Sequence, residues 1–382
     1  MSLEKVRKRL FERFDSAGGI HFVAILLDLP SRWTLADDLD SHGRSIVLIG
    51  QSFVGDGAEA HVVIQFILQQ LRNGQCPDMV TVIALAPKAS DALVQMVEAG
   101  PVDDVLVHGP RWSGKSIVAF AALLALAEWH GRAHFTDLFK AMLLHDSLKS
   151  ADAKSAQTLE LPLWGGLWTI ESDRTRAMCR LGGRDFIKMD FIGCIDAVSS
   201  ERLRQSTHCV LAEELIGSLA DGTGITEDQY TLARSSMLRL ETRRRVSVAL
   251  TNPGAPSLWP YRYWGLGGQP LPTRRAIAIP REDRLSPEQQ AQLDASFATN
   301  PILQKRLSRG EWVGVVQGAA VAEGFDPAVH LAQFALRPDP GCSWPLDSMG
   351  AIHRRRSSDN CTRGRFRSLP RSICCTPGCS NS

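Results

Sequence analysis

The residues from Gly109 to Ser116, with the sequence GPRWSGKS, have the types and spacing needed to hold a chain of phosphate groups. They match G-x-x-x-x-G-K-[ST] at every fixed position. The backbone N–H groups of such a loop, together with the positive end of the helix that follows, bind phosphate oxygens. Lys115 is predicted to reach the outer phosphates, and Ser116 to ligate Mg²⁺. We predict that the whole loop binds the phosphates of a nucleotide: Gly109, Pro110, Arg111, Trp112, Ser113, Gly114, Lys115 and Ser116.

Two acidic residues follow an apolar run farther along the chain. His208–Glu214, HCVLAEE, is typical of a buried strand whose last residues hold a metal ion and a water molecule. We assign Glu213 to Mg²⁺, and Glu214 to orienting and deprotonating the attacking water. Asp is more common at the position of Glu213, and a Glu side chain reaches farther. Two acids after a strand can also be a solvated strand end; their position 98 residues after Lys115 favours the metal site.

A third polar pair leaves another apolar strand. Val246–Leu250 is followed by Thr251 and Asn252, which are predicted to contact the γ-phosphate and to report its loss. The same residues are also compatible with an ordinary turn, because Asn-Pro-Gly is turn chemistry.

Strands and helices alternate around the phosphate loop. The loop lies between a predicted strand, Asp104–His108, and a predicted helix, Ile117–Trp129, which Gly131 ends. This alternation predicts an α/β fold with a mostly parallel sheet flanked by helices. With the phosphate loop, the fold resembles the P-loop NTPase (RecA/ASCE-like) type. Ser286 is predicted to cap a later helix. Trp164 and Trp168 are predicted to pack within the protein rather than to stack on nucleic-acid bases. The other predicted strands are Ser45–Gly50, Met79–Leu85, Ala141–Ser147 and Phe186–Phe191, and the other predicted helices are His61–Leu71 and Asp91–Glu98.

Composition sets the broad class of the protein. The chain has 382 residues, 44% of them hydrophobic, and a formal net charge of +2, which does not by itself indicate a nucleic-acid partner. Its nine Cys include no set with the usual spacing of a metal site, which suits a reducing compartment. No signal peptide is recognised, and the helix after Lys115 is too short to span a membrane. We expect a soluble, intracellular protein with no membrane partner.

Three segments are predicted. Residues 1–44 form a helical and loop segment, beginning with an amphipathic helix at Ser2–Phe14; residues 45–330 form the ATPase domain; and residues 331–382 form a linker and a disordered tail. From Ser343 to Ser382 the chain has seven Arg and two Asp, with neither Lys nor Glu, and it lacks an apolar face. This tail could bind nucleic acid non-specifically. A zinc knuckle is the alternative interpretation of Cys374, Cys375 and Cys379, although their spacing fits no usual four-ligand set.

The order of these parts resembles the large terminase subunit of tailed bacteriophages, the DNA-packaging motor, over roughly Val105 to His330. Arg111 matches the Arg that usually precedes the second Gly of the family's phosphate loop. Glu213-Glu214 resembles its acidic pair, and Thr251-Asn252 its third, coupling motif. Leu143–Ser150, Gly193–Arg204 and Gly310-Glu311-Trp312 resemble further segments of the family.

The resemblance implies that ATP hydrolysis, with Mg²⁺, drives double-stranded DNA into an empty capsid in the cytoplasm of the bacterial host. It implies catalytic roles for Lys115, Glu214 and Arg111, with Arg111 acting in cis on the transition-state charge as an arginine finger does. It also implies a small terminase subunit, the portal of the procapsid and a homo-oligomeric ring as partners.

Family members continue into a ribonuclease-H-like nuclease, whereas about fifty residues follow Pro327 here. We therefore expect an ATPase without nuclease activity, and hypothesise that the reading frame or gene is broken near Gly341–Trp344. Two alternatives stay open. One is another P-loop enzyme, such as a helicase-like DNA translocase or a nucleotide-dependent kinase, and the other is a degenerate fragment that binds nucleotide without turnover. ATPase activity stimulated by DNA separates a translocase from a kinase.

Overall fold

The computed structural model describes thirteen stretches of the chain: 22–28, 38–39, 44–49, 57–75, 80–98, 100, 102–131, 138–181, 183–195, 201–216, 224–268, 271–281 and 286–314. Side chains are described throughout these stretches except at 38–39 and 57–63. The chain divides into two units, and every element below belongs to the first, Met1–Gln317. The predictions for Ser2–Phe14, for the tail and for its Cys residues lie outside the described residues.

An eight-stranded sheet carries the phosphate loop, with the strand order β12-β5-β11-β10-β6-β9-β8-β7. The six strands from β12 to β9 are parallel, and β8 and β7 continue the sheet in antiparallel fashion. The predicted α/β class and mostly parallel sheet are confirmed. The strands are β5 (Asp104–His108), β6 (Phe139–His145), β7 (Trp168–Ile170), β8 (Arg176–Leu181), β9 (Arg184–Gly193), β10 (Cys209–Glu213), β11 (Val246–Thr251) and β12 (Arg274–Ala278).

Apolar side chains cover both faces of this sheet. In β5, Val105 and Val107 pack into one hydrophobic cluster while Leu106 packs into another, because successive strand residues point to opposite faces. All five residues of β5 are buried. This is why the parallel strands of the sequence are nearly continuous apolar runs rather than alternating ones.

A second sheet has four strands in the order β2-β3-β1-β4: β1 (Phe22–Leu27), β2 (Asp38–Leu39), β3 (Ser45–Ile49) and β4 (Val80–Leu85). Two sequence expectations differ from this arrangement. β1 lies within the segment expected to be helical and loop, and β3 and β4 do not join the sheet of β5. FVAILL in β1 is buried on both faces, so it has no alternation to mark it as a strand.

The helix after the phosphate loop, α3 (Lys115–His130), is buried between these layers. Its residues from Val118 to Glu128 are buried on every side, and its apolar side chains share one cluster with residues of both sheets. A helix that is apolar all round is a core helix, which fixes its first turn, and with it Lys115 and Ser116, relative to β5.

The remaining helices lie before and after this core. The capping box at Ser286 confirms the predicted start of that helix. Trp164 is completely buried, which confirms the prediction that its side chain packs within the protein. None of the helices that the structure describes has both the length and the apolar character of a membrane span. They are α1 (Gly57–Arg72), α2 (Pro87–Val97), α4 (Leu148–Ala151, continued by Asp152–Ala156 and Gln157–Leu159), α5 (Glu227–Ser236), α6 (Trp259–Tyr263), α7 (Pro287–Ser296) and α8 (Pro301–Leu303, continued by Gln304–Arg309).

Candidate nucleotide-binding site

The phosphate loop joins the carboxyl end of β5 to the amino end of α3, as the sequence predicts. Gly114 has φ 84° and Trp112 has φ 61°, and Trp112 is 63% exposed. A left-handed conformation is uncommon for a bulky residue and costs about 1–3 kcal/mol, so the surrounding structure must hold the loop in this shape. A Cβ at Gly109 would lie 2.1 Å from the carbonyl oxygen of Ile279. Glycine is therefore required where the loop passes the residue after β12.

Lys115 turns back onto its own loop. Its Nζ donates to the carbonyl oxygens of Gly109 at 3.0 Å and Pro110 at 2.7 Å, and to Ser113 Oγ at 3.2 Å. It also donates to Asn252 Oδ1 at 3.2 Å. Four oxygen acceptors thus surround the ammonium group, and phosphate oxygens would replace some of them.

The charge of Lys115 is poorly solvated. Burial lowers the pKa of this ammonium to about 7, while Glu213 acts in the opposite direction and the nearby Arg281 adds to the decrease. An anionic ligand in the loop would favour the protonated form, because an opposite charge at short range stabilises a buried ion.

Glu213 is the last residue of β10, and both of its carboxylate oxygens have partners. Ser116 donates to Oε1 and Ser155 donates to Oε2, while His145 Nε2 lies 3.2 Å from Oε2. Burial raises the pKa of this carboxyl, but the contacts with His145, Ser116 and Ser155 outweigh burial and leave the pKa below its ordinary value. The structure therefore brings the two predicted Mg²⁺ ligands, Ser116 and Glu213, into direct contact.

Glu214 leaves the strand in a different direction from Glu213. Its φ of 55° is left-handed, and its side chain, which is 29% exposed, forms an ion pair with Lys154 of α4. Two consecutive strand residues would point to opposite faces, whereas the turn in the backbone at Glu214 keeps this carboxylate at the sheet edge.

Thr251 and Asn252 lie at the same edge of the sheet because β11 is the strand between β5 and β10. Thr251 is aligned with His108 at the end of β5 and is buried, with its hydroxyl donating to the carbonyl oxygen of Asn252. Asn252 contacts Lys115 directly. The three motifs that the sequence analysis singles out therefore meet at one place.

Arg111 is held through its backbone rather than its side chain. Its N–H donates to the carbonyl oxygen of Leu307 at 2.9 Å, and its carbonyl oxygen accepts from Arg281 Nε at 3.0 Å. The side chain is exposed and has no hydrogen bond or ion pair within the described stretches. The guanidinium can therefore reorient toward a ligand without breaking a contact.

Arg281 is a site residue that the sequence reasoning missed. It is 8% exposed, and its guanidinium joins the phosphate loop to the carbonyl oxygens of Leu307 and Ser308, both at 3.1 Å, and to Gln290 Oε1 at 2.6 Å. A single Arg after a strand follows no spacing rule, so no local signal could have identified it.

His145, Asp146 and Ser155 are further residues that the sequence reasoning did not assign. Ligand atoms of His145, Asp146 and Glu214 lie within 4.8 Å of one another, a group that could hold a metal ion. The hard oxygen donors of Ser116 and Glu213 fit Mg²⁺ better than this group, which includes a nitrogen. The sequence signal for His145 and Asp146 was the polar run at the end of β6, where His-Asp-Ser follows four apolar residues.

A cavity of about 500 Å³ opens beside the first two residues of the loop. Its lining combines apolar and charged residues, and its volume is within the range of small-molecule pockets. The lining residues include Lys88, Asp91, Pro110, Ile277, Ile279 and Arg309.

Comparison with known proteins finds similarity among solved structures. No protein-family model matches the chain, and no curated protein matches it. The large terminase of a thermophilic bacteriophage is similar at 15% identity over 68% of this chain and 62% of that one, with a TM-score of 0.47. The same protein in complex with ADP is similar at 14% identity over 69% and 62%, with a TM-score of 0.46. The matched region thus spans less than two thirds of that terminase.

Proposed function

We propose that this chain is an ATPase that drives phage DNA packaging, as a large terminase subunit does. One observation carries the proposal: Lys115 at the start of α3, Glu213 at the end of β10 and Asn252 after β11 lie at one sheet edge and are linked through the phosphate loop. Lys115 and Asn252 are 137 residues apart in the sequence. Their meeting supports a single nucleotide site rather than three unrelated turns.

The proposed reaction is attack of water on the γ-phosphorus of ATP, which breaks the bond to the β–γ bridging oxygen and releases ADP and inorganic phosphate. Backbone N–H groups of the loop and Lys115 bind the phosphates. Ser116 and Glu213 would hold Mg²⁺, which would supply positive charge to the phosphate oxygens. Glu214 orients the water and accepts its proton, and Arg111 stabilises the charge of the transition state.

Coupling of hydrolysis to movement is proposed to start at Asn252. Loss of the γ-phosphate would change the hydrogen bonds of Lys115, and Asn252 accepts one of these hydrogen bonds. Two hydrogen bonds join the loop after β11 to the segment that follows α7. Arg306 Nε donates to the carbonyl oxygen of Pro253 at 2.6 Å, and the N–H of Val313 donates to the carbonyl oxygen of Gly254 at 3.0 Å. A change at the phosphate can thus reach the end of the described chain.

The proposed partners follow from the family. They are double-stranded DNA, a small terminase subunit, the portal of the procapsid and further copies of this chain in a ring, all in the cytoplasm of the bacterial host. The large terminase of the thermophilic bacteriophage forms a complex with ADP, and we propose a ligand of the same class, an adenine nucleotide, for the loop of this chain.

Steady-state ATP hydrolysis with and without linear duplex DNA tests the proposal. We expect turnover that depends on Mg²⁺ and rises when DNA is added. Transfer of phosphate to an acceptor other than water would instead indicate a kinase. Nucleotide binding without turnover, even with DNA present, would indicate a degenerate fragment.

A further inference from the structure

Glu213 is held from two sides, and only one side belongs to the phosphate loop. Oε1 accepts from Ser116 on the loop side. Oε2 accepts from Ser155 and lies 3.2 Å from His145 Nε2. The two partners of Oε2 come from β6 and α4, which contribute no residue to the phosphate loop.

The sheet places His145 beside Glu213. β6 and β10 run in parallel with Leu144 opposite Ala212. The residues that follow, His145 on β6 and Glu213 on β10, are therefore neighbours. His145 is completely buried, and its Nε2 lies 2.7 Å from Ser155 Oγ. Its Nδ1 has no hydrogen-bond partner among the residues that the structure describes. The hydrogen bonding of the imidazole is thus directed at Ser155 and Glu213.

Ser155, which contacts Glu213, lies in a widened turn of α4. The segment Asp152–Ala156 is π-helical, and Ser155 within it is completely buried. π-Helical turns are rare, and they occur frequently at functional sites. Within this turn Ser155 and Ala156 are buried, whereas Ala153 and Lys154 are exposed.

Glu at position 213 has one more rotatable bond than the Asp that is common there, so its carboxylate needs more constraint. We propose that His145 and Ser155 are positioning residues that hold Glu213 Oε2, and thereby keep Oε1 directed at Ser116 and the divalent metal. This inference rests on the proposed function, because it requires a metal–nucleotide complex to bind at the loop. In this role both residues act through Glu213 and not as ligands of the metal.

Metal affinity distinguishes positioning from a general structural role. We would measure Mn²⁺ binding by electron paramagnetic resonance in the presence of a non-hydrolysable ATP analogue, for wild type, His145→Ala and Ser155→Ala. Removing a partner of a metal ligand weakens metal binding by about 10- to 100-fold, and we expect that range here. Affinity for the analogue in EDTA should stay unchanged. His130→Ala, which removes a part-buried histidine at the other end of α3, is the matched control and should leave Mn²⁺ affinity unchanged.

A double-mutant cycle tests whether the effect passes through Glu213. The shorter carboxylate of Glu213→Asp cannot keep both contacts, so adding His145→Ala to it should change Mn²⁺ affinity less than about twofold. If His145→Ala does not fold, as judged by circular dichroism, Ser155→Ala carries the same cycle, because it removes only one hydroxyl.

Two results would overturn the positioning role alone: wild-type Mn²⁺ affinity in both single variants, or an equal loss in the Glu213→Asp background. If the wild-type protein binds neither Mn²⁺ nor the analogue, both this inference and the proposed function are wrong. Turnover in the wild type with unchanged metal affinity in the variants would leave the proposed function standing.

Discussion

Lys115 Nζ lies 3.2 Å from Asn252 Oδ1, so the lysine of the phosphate loop and the residue after β11 are joined by a direct hydrogen bond. The strand order explains this contact. β11 lies between β5 and β10, and the ends of these three parallel strands therefore present the loop, the amide and the acidic pair side by side. Ligands of open α/β sheets bind at the carboxyl ends of the strands.

Replacement of Lys115 by Ala should reduce ATP turnover at least about a hundredfold, because a preorganised positive charge on the phosphates is lost. Lys140→Ala is a suitable control, since Lys140 is an exposed residue near the start of β6, at the opposite end of the strand from the site. Release of inorganic phosphate at saturating Mg²⁺ measures the effect. Wild-type turnover in Lys115→Ala would show that the loop does not bind the reacting phosphates.

Nucleotide binding at pH 8 should take up protons. The pKa of Lys115 is lowered to about 7 by burial, so the free protein carries a mainly neutral amine at pH 8, whereas bound phosphates favour the ammonium. Affinity should accordingly fall as the pH rises from 7 to 9. Titration calorimetry in two buffers with different heats of ionisation measures the uptake. In Lys115→Arg, whose side chain stays charged, the uptake should disappear, and equal uptake in both proteins would assign it to another group.

Glu214→Gln should keep nucleotide binding and lose turnover by about 10²- to 10⁴-fold, because the amide cannot accept the proton of the attacking water. Binding of a fluorescent nucleotide and release of phosphate separate the two effects. Asp146→Asn alters a neighbouring acid at the same sheet edge and serves as a comparison. Equal turnover in Glu214→Gln and wild type would remove the assignment of Glu214 as the base.

Arg111→Ala should lower kcat by about 10³- to 10⁵-fold while the affinity for nucleotide changes little, as expected for a group that acts on transition-state charge. The exposed side chain makes the substitution harmless to folding, since the loop is held by the backbone of Arg111. Arg309→Ala, another exposed Arg close to the loop, is the matched control. A loss confined to KM would show that Arg111 binds the ground state instead.

Arg281→Ala should reduce the free energy of unfolding by roughly 2–4 kcal/mol, because a buried guanidinium that donates to three carbonyl oxygens and one amide oxygen is removed. Denaturation by urea measures the change, with the exposed Arg204 replaced by Ala for comparison. Stability equal to that of Arg204→Ala would mean that water replaces the lost hydrogen bonds.

Local patterns predict the phosphate loop and most strands of the large sheet because each is a short apolar run or a fixed motif. β1 was not predicted as a strand, since burial on both faces removes the alternation that identifies one. The contacts of Glu213 with His145 and Ser155 depend on strand order and on a widened helical turn, neither of which leaves a spacing in the sequence. Arg281 was missed for the same reason, because its role depends on carbonyl oxygens that the chain brings together only after folding.

The hydrogen bond from the N–H of Arg111 to the carbonyl oxygen of Leu307 limits how far the chain can be shortened for expression. The indole of Trp312 also donates to His108 Nδ1 at 3.4 Å, at the end of the strand that leads into the loop. An expression fragment that stops after α7 would remove both supports and leave the loop N–H of Arg111 without its acceptor. Any shortened version intended for nucleotide soaking or calorimetry must therefore retain residues through at least 314.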